Sequence, residues 1–129
     1  MWTMIHDESV HKQFRSLGKK FRLEVINVLA NLETVKKALD EGIQLEQLKK
    51  LGFVHNEPKG IVAVDQKGKG GKTKPKALRL YLYPDFSQKQ LYVIRLADKS
   101  QQPNDIKIVT QYVESLIRRQ EEGDSQESP

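Results

Sequence analysis

The chain has 129 residues, contains no cysteine and carries a formal net charge of +5 at pH 7. This length predicts one domain that buries a core without staples, and the lack of cysteine excludes disulfides, thiolate nucleophiles and thiolate metal sites. No apolar run approaches the roughly 20 residues of a membrane-spanning helix. Residues 1–8 do not resemble a secretory signal either. We therefore expect a cytoplasmic protein with no membrane partner.

The first third of the chain predicts a short strand followed by two helices. Residues 2–6 form the candidate strand, and Asp7 or Ser9 is the candidate cap of the first helix. Gly18 is expected to end that helix, and Gly42 to end the second one as a left-handed cap. Apolar residues three and four positions apart define the buried faces of this hairpin: Val10, Phe14, Leu17, Phe21, Val25, Val28, Leu32, Val35 and Leu39.

Three strands are predicted next, at residues 60–64, 78–83 and 90–96, and their short connections favour antiparallel pairing. In the middle strand, alternation directs Leu78, Leu80 and Leu82 towards the helices. Arg79, Tyr81 and Tyr83 then share an open face. In the third strand we expect Tyr92, Ile94 and Leu96 to face the helices, with Arg95 on the open face among Leu91 and Val93.

A last helix is predicted from residue 102, where a proline and an acid suit a first helical turn. Its buried stripe is Ile106, Val109, Val113 and Leu116. Residues 120–129 contain four acids and no base and are predicted to be a disordered acidic tail. The predicted fold class is therefore α+β, with residues 1–119 as a single domain. In it an N-terminal helical hairpin packs on a small antiparallel sheet and is followed by a C-terminal helix.

Residues 66–77 are predicted to be a flexible basic loop, because glycines and a proline interrupt any helix or strand. The loop contains Lys67, Lys69, Lys72, Lys74 and Lys76 and no acid. Positive charge beside exposed aromatics is typical of surfaces that bind nucleic acid, with Tyr81 and Tyr83 as base-stacking residues. Ordinary cross-strand packing is the alternative for these tyrosines. No recognition helix or zinc pattern is present, so single-stranded RNA is favoured over duplex DNA.

Three segments, in order, resemble the RelE/HigB-like toxins of bacterial toxin–antitoxin modules. They are residues 14–32, which begin FRSLGKKF and end VLANL; residues 77–81, ALRLY; and residues 97–106, ADKSQQPNDI. The resemblance implies a RelE-like fold and a small endoribonuclease that cleaves messenger RNA, often on the ribosome. It also implies that the enzyme inhibits growth and that a cognate antitoxin protein neutralises it.

Metal-independent RNA cleavage needs a base, an acid and cations around the phosphate. Arg79 is the candidate for the phosphate, since guanidinium binds phosphate oxygens with paired hydrogen bonds. A surface ion pair is its alternative role. Lys99 and Arg95 are further catalytic candidates, and His6, His11 and His55 are possible acids or bases. No cofactor or metal is expected.

Two other functions stay open at this point. One is a non-catalytic RNA-binding or nucleic-acid-binding module that uses the same basic face, for which binding would depend strongly on salt. The other is a scaffold or inhibitor that binds an acidic protein. Whether the chain is an enzyme at all is therefore left undecided by the sequence.

Overall fold

The structure, a computed structural model, describes residues 1–66, 77–98 and 102–127. Two short 3-10 turns, Lys49–Leu51 and Pro58–Gly60, flank the second strand. None of the helices in the described ranges is long and apolar enough to cross a membrane. The helices and strands are β1 (Thr3–His6), α1 (Glu8–Lys20), α2 (Arg22–Asp40), α3 (Leu45–Leu48), β2 (Val54–Asn56), β3 (Val62–Asp65), β4 (Leu78–Asp85), β5 (Gln90–Asp98) and α4 (Gln102–Glu127).

The strands form one sheet in the order β1-β5-β4-β3-β2. The α+β class is confirmed, and so is the antiparallel pairing of β3, β4 and β5. The sheet is mixed, however, because β1 pairs in parallel with β5. It also has an edge strand, β2, that the sequence analysis did not predict. β2 pairs antiparallel with β3 and brings His55 opposite Ala63.

The helical hairpin begins where the Asp7 carboxylate accepts a hydrogen bond from the Ser9 backbone N–H at 3.2 Å. The predicted end at Gly18 is wrong, because α1 continues to Lys20 and only Phe21 separates it from α2. A glycine inside a helix costs only about 1 kcal/mol relative to alanine, which packing can offset. The left-handed cap at Gly42 is confirmed by its φ of 92°.

Both faces of the sheet are covered. Leu78, Leu80 and Leu82 face α1 and α2, as predicted, and join the core beneath the hairpin. The opposite face carries Tyr81 and Tyr92, and α4 packs on it. Its buried cluster contains Ile61, Ala63, Tyr81, Tyr92, Ile94, Val109, Val113 and Leu116. The prediction of an open face is therefore wrong, because the apolar stripe of α4 covers that side.

An irregularity in the pairing of β4 with β5 changes which β5 residues face the hairpin. Tyr81 pairs with Arg95 but Leu82 pairs with Val93, so Ile94 is an extra residue in β5. Leu91, Val93 and Leu96 therefore lie on the hairpin side, whereas Tyr92 and Ile94 lie beneath α4. The predicted orientation is correct for Leu96 and wrong for the other four apolar residues. A bulge of one residue inverts the alternation on one side of it.

Helix α4 continues beyond residue 119, where the sequence predicted the domain to end. It runs to Glu127 and so includes most of the predicted acidic tail. The Gln120 side chain donates a hydrogen bond from Nε2 to Asp85 Oδ2 at 3.0 Å. This bond fastens the helix to the end of β4.

The packing of α4 can be tested by truncating one buried and one exposed side chain of the same helix. Leu116→Ala is expected to lower the free energy of unfolding by about 2–4 kcal/mol, because the side chain is only 8% exposed. Ile108→Ala, at a position 38% exposed, should cost less than about 1 kcal/mol. Urea unfolding measures both values. Equal losses would contradict the packing of α4 on the sheet.

Candidate nucleic-acid interface

Arg79 lies on β4 directly opposite Asp65 on β3. Its guanidinium donates from Nε to Asp65 Oδ1 at 2.7 Å and from Nη2 to Asp65 Oδ2 at 3.3 Å, and Nη1 lies 3.7 Å from Glu57 Oε1. Only 6% of the Arg79 side chain is exposed. The expected open position of Arg79 is therefore wrong, because two carboxylates already engage the donors that a phosphate would need.

The Asp65 carboxylate also contacts His55 on the edge strand β2. His55 Nε2 lies 2.6 Å from Asp65 Oδ2, and 45% of the imidazole side chain is exposed. Burial by itself would raise the pKa of Asp65. The hydrogen bonds and charge of Arg79, with a smaller contribution from His55, instead hold this pKa below its usual value. The three side chains form one network, which we name the His55–Asp65–Arg79 cluster.

Arg95 is also engaged in an ion pair. Its Nε donates to Asp105 Oδ1 at 2.6 Å, and Asp105 is 1% exposed at the first turn of α4. A carboxylate at this end of a helix is stabilised by the helix dipole. Arg95 therefore fastens α4 to β5, and the face that was predicted to be open around it is covered by α4.

The two tyrosines predicted to stack bases are held in the interface with α4. Tyr81 is 1% exposed, and desolvation by burial raises the pKa of its hydroxyl to about 12. Tyr83 is partly buried, and its ring centroid lies 6.3 Å from that of Tyr92. The alternative of packing residues therefore fits their positions better than a stacking platform does.

The lysines predicted to hold the phosphate backbone, and the catalytic candidate Lys99, lie outside the described residues. The residues that flank the lysine-rich segment are described. The Leu78 backbone N–H donates to the Gln66 side chain at 3.1 Å, where β3 ends and β4 begins. The lysines outside the described residues are Lys67, Lys69, Lys72, Lys74 and Lys76.

The solvent-facing side of α1 carries a basic surface that the sequence analysis did not single out. It forms a shallow depression lined by Lys12, Arg15, Ser16, Lys19 and Lys20, all of them exposed. No acid lines the depression. The spacing of three and four residues from Lys12 to Lys19 places these side chains on one face of the helix. We name this region the α1 basic surface.

The apolar side of α1 explains why the cations face solvent. Val10 is fully buried against the sheet, and Phe14 and Leu17 pack against the same core. The Leu96 backbone N–H donates to Gln13 Oε1 at 2.8 Å, which fixes the rotation of α1 over β5. The sequence contained a signal for this surface. The basic residues are also three and four positions apart, and they lie between the residues of the predicted apolar stripe.

A cleft of about 240 Å³ lies between the first residues, the end of α2 and the turn after β4. Asp40 is the acid that lines it. Its carboxylate accepts from the Trp2 backbone N–H at 2.7 Å and from Lys36 Nζ at 2.6 Å, so this charge is already compensated. Within the described residues, no group of three or more histidine, aspartate or glutamate side chains is arranged to hold a metal ion.

Comparison of the chain with protein-family models, with curated proteins and with solved structures found no match in any of the three. The resemblance to the RelE/HigB-like toxins therefore stays a prediction from the sequence.

The role of Arg79 in the fold can be tested by Arg79→Gln. We expect the free energy of unfolding at pH 7 to fall by about 3 kcal/mol, because Asp65 loses its main partner. The wild type should lose stability as pH falls below the unfolded pKa of 3.8 and through the lower folded value. Arg79→Gln should lose less stability than the wild type over this pH range. Urea unfolding from about pH 7 to about pH 3 measures both effects.

Lys59→Gln provides the control for that experiment. It removes one partner of the exposed ion pair between Lys59 and Glu114, whose side chains are 48% and 41% exposed. Exposed ion pairs contribute little to stability, because water and salt screen their charges. Equal destabilisation by Arg79→Gln and Lys59→Gln would contradict a structural role for the Arg79 pair.

Proposed function

We propose that the protein binds RNA through the α1 basic surface. The observation that carries this proposal is the grouping of Lys12, Arg15, Lys19 and Lys20 on one exposed helix face with no acid among the lining residues. Seven residues of helix separate Lys12 from Lys19, or about 10 Å along the axis. Long, mobile stems on these side chains suit contact with successive phosphates of a flexible strand.

Contacts of this kind recognise the charge of a nucleic acid more than its base sequence. Lysine and arginine contacts to phosphate position a nucleic acid but carry no base information directly. The surface therefore supports binding with little sequence preference and with strong dependence on salt. The preference for single-stranded RNA over duplex DNA rests on the resemblance and on the lack of a recognition helix or zinc pattern in the sequence.

The proposal is tested with two triple variants that remove the same charge. Replacing Lys12, Lys19 and Lys20 with glutamine should weaken binding to a single-stranded RNA. It should also reduce the slope of log affinity against log salt by about 2, since each phosphate contact contributes about 0.7 for single strands. Replacing the exposed Lys37, Lys49 and Lys50 with glutamine gives the same net charge and should leave the slope unchanged. Fluorescence anisotropy at several salt concentrations measures both, and equal slopes in the two variants would reject the α1 basic surface.

Cleavage of RNA by a toxin-like endoribonuclease is the second candidate function. The exposed His55 imidazole favours it, because its Nε2 lies 2.6 Å from Asp65 Oδ2 and a carboxylate partner can orient an imidazole that acts as a general acid or base. Arg79 would then be a positioning residue that holds Asp65, and would not itself contact phosphate. The order of one strand, two helices, antiparallel strands and a last helix is compatible with the RelE-like arrangement. A cognate antitoxin remains the partner implied by the resemblance.

This second candidate predicts that His55→Asn reduces RNA cleavage at least about 100-fold, a typical contribution of an acid or base. Binding to RNA should be unchanged, because His55 is not part of the α1 basic surface. His6→Asn is the control, since His6 lies on β1 at the other edge of the sheet. Gel analysis of RNA integrity in the presence of a chelator measures cleavage. Absence of cleavage by the wild type would reject the endoribonuclease, and equal cleavage by both variants would reject the role of His55.

A further inference from the structure

The solvent side of α2 exposes three aliphatic side chains within two turns of its N-terminus. Leu23 is 45% exposed, Ile26 is 47% exposed and Leu29 is 39% exposed. The opposite side of the same helix is buried, with Val25 and Val28 packed in the core beneath the hairpin. The hydrophobic core therefore does not include the three exposed side chains. We name them the α2 aliphatic stripe.

Positive charge adjoins this stripe. Lys19 and Lys20 end α1, Phe21 is the only residue between the helices, and Arg22 is the first residue of α2. All three cations are exposed, whereas the acid of that turn, Glu24, is only 3% exposed. The end of the hairpin thus combines exposed aliphatic groups with a cluster of cations.

Several ligands fit one half of this combination, but few fit both. RNA would use the cations and leave the aliphatic stripe in water. A second copy of the chain, docked symmetrically through the stripe, would bring the two sets of cations together and be repelled. An anionic lipid surface takes both, because lipid phosphates attract the cations while aliphatic side chains enter the boundary between headgroups and acyl chains. The stripe lies on the outward crest of a helix, which suits a deformable surface better than a groove would.

We propose that the end of the hairpin docks the protein on the surface of an anionic membrane. The α2 aliphatic stripe enters the headgroup region, and Lys19, Lys20 and Arg22 lie over the lipid phosphates. This association is peripheral and is compatible with the lack of a membrane-spanning helix among the described residues. It goes beyond RNA binding and does not depend on it, although the two ligands would compete for Lys19 and Lys20.

Vesicle sedimentation tests the proposal with defined lipids. Wild-type protein should bind vesicles of phosphatidylcholine mixed with phosphatidylglycerol and should not bind vesicles of phosphatidylcholine alone. Replacing Leu23, Ile26 and Leu29 with glutamine keeps every charge but should weaken binding to the mixed vesicles at least about tenfold. Lys19→Gln combined with Lys20→Gln should also weaken it. RNA binding by the aliphatic variant should be unchanged.

Ile108→Gln is the matched control, because it makes the same kind of change at an exposed position on α4. It should bind the mixed vesicles as the wild type does, and urea unfolding should show that all variants are folded. Equal binding of the aliphatic variant and the wild type would overturn the proposal by reducing it to charge attraction. Equal binding to neutral and mixed vesicles would overturn the anionic requirement. Failure of the wild type to bind mixed vesicles would also overturn it and leave the stripe to an acidic protein partner.

Discussion

The packing of α4 on the second face of the sheet determines where a ligand can bind. Burying Val109, Val113 and Leu116 contributes roughly 5–9 kcal/mol as an upper estimate, which is comparable to the whole stability of a small domain. The helix is therefore part of the core and does not act as a removable cover. Because it occupies that face, the tyrosines of β4 and the arginines of β4 and β5 lie in an interior or at its margin. A polyanionic ligand therefore has to bind at another surface. Among the described residues, the helical hairpin carries a group of exposed cations.

The same burial explains why Arg79 is paired. An arginine that loses most of its hydration needs carboxylates with good geometry, and Asp65 directly across the strand pair provides two hydrogen bonds. Asp65 in turn stays ionised in spite of burial, because its interactions with Arg79 and His55 lower the pKa of its carboxyl group. The network thus links β2, β3 and β4 through one carboxylate. Any chemistry at this edge falls to the exposed member, His55, and the buried members hold it in place.

Sequence patterns predicted α1, α2, α4, β1 and the strands β3, β4 and β5, because 3.6-residue and two-residue periodicities are local properties. They did not predict β2, since a three-residue strand is too short to show a period. The bulge at Ile94 has no local signal either, and it inverted the assignment of Leu91 through Ile94. The covered second face did have a signal: residues 91–94 and 61–64 are continuous apolar runs, which are typical of strands buried on both sides. The alternation in β4 instead predicted a sheet with one open face, which is the prediction that the structure contradicts.

The two surface features of the hairpin follow from how firmly its helices are fixed to the sheet. Gln13 accepts a hydrogen bond from the backbone of Leu96, and Asn31 Nδ2 donates to the Asp65 carbonyl at 2.9 Å. Each helix is therefore held to a strand by a polar contact besides its apolar face. With both rotations fixed, the cations of α1 and the aliphatic side chains of α2 face solvent in every molecule. None of these side chains belongs to the buried core clusters, so substitution there changes a binding surface more than it changes the core. Phe21 alone joins the helices, which keeps charge and aliphatic groups adjacent.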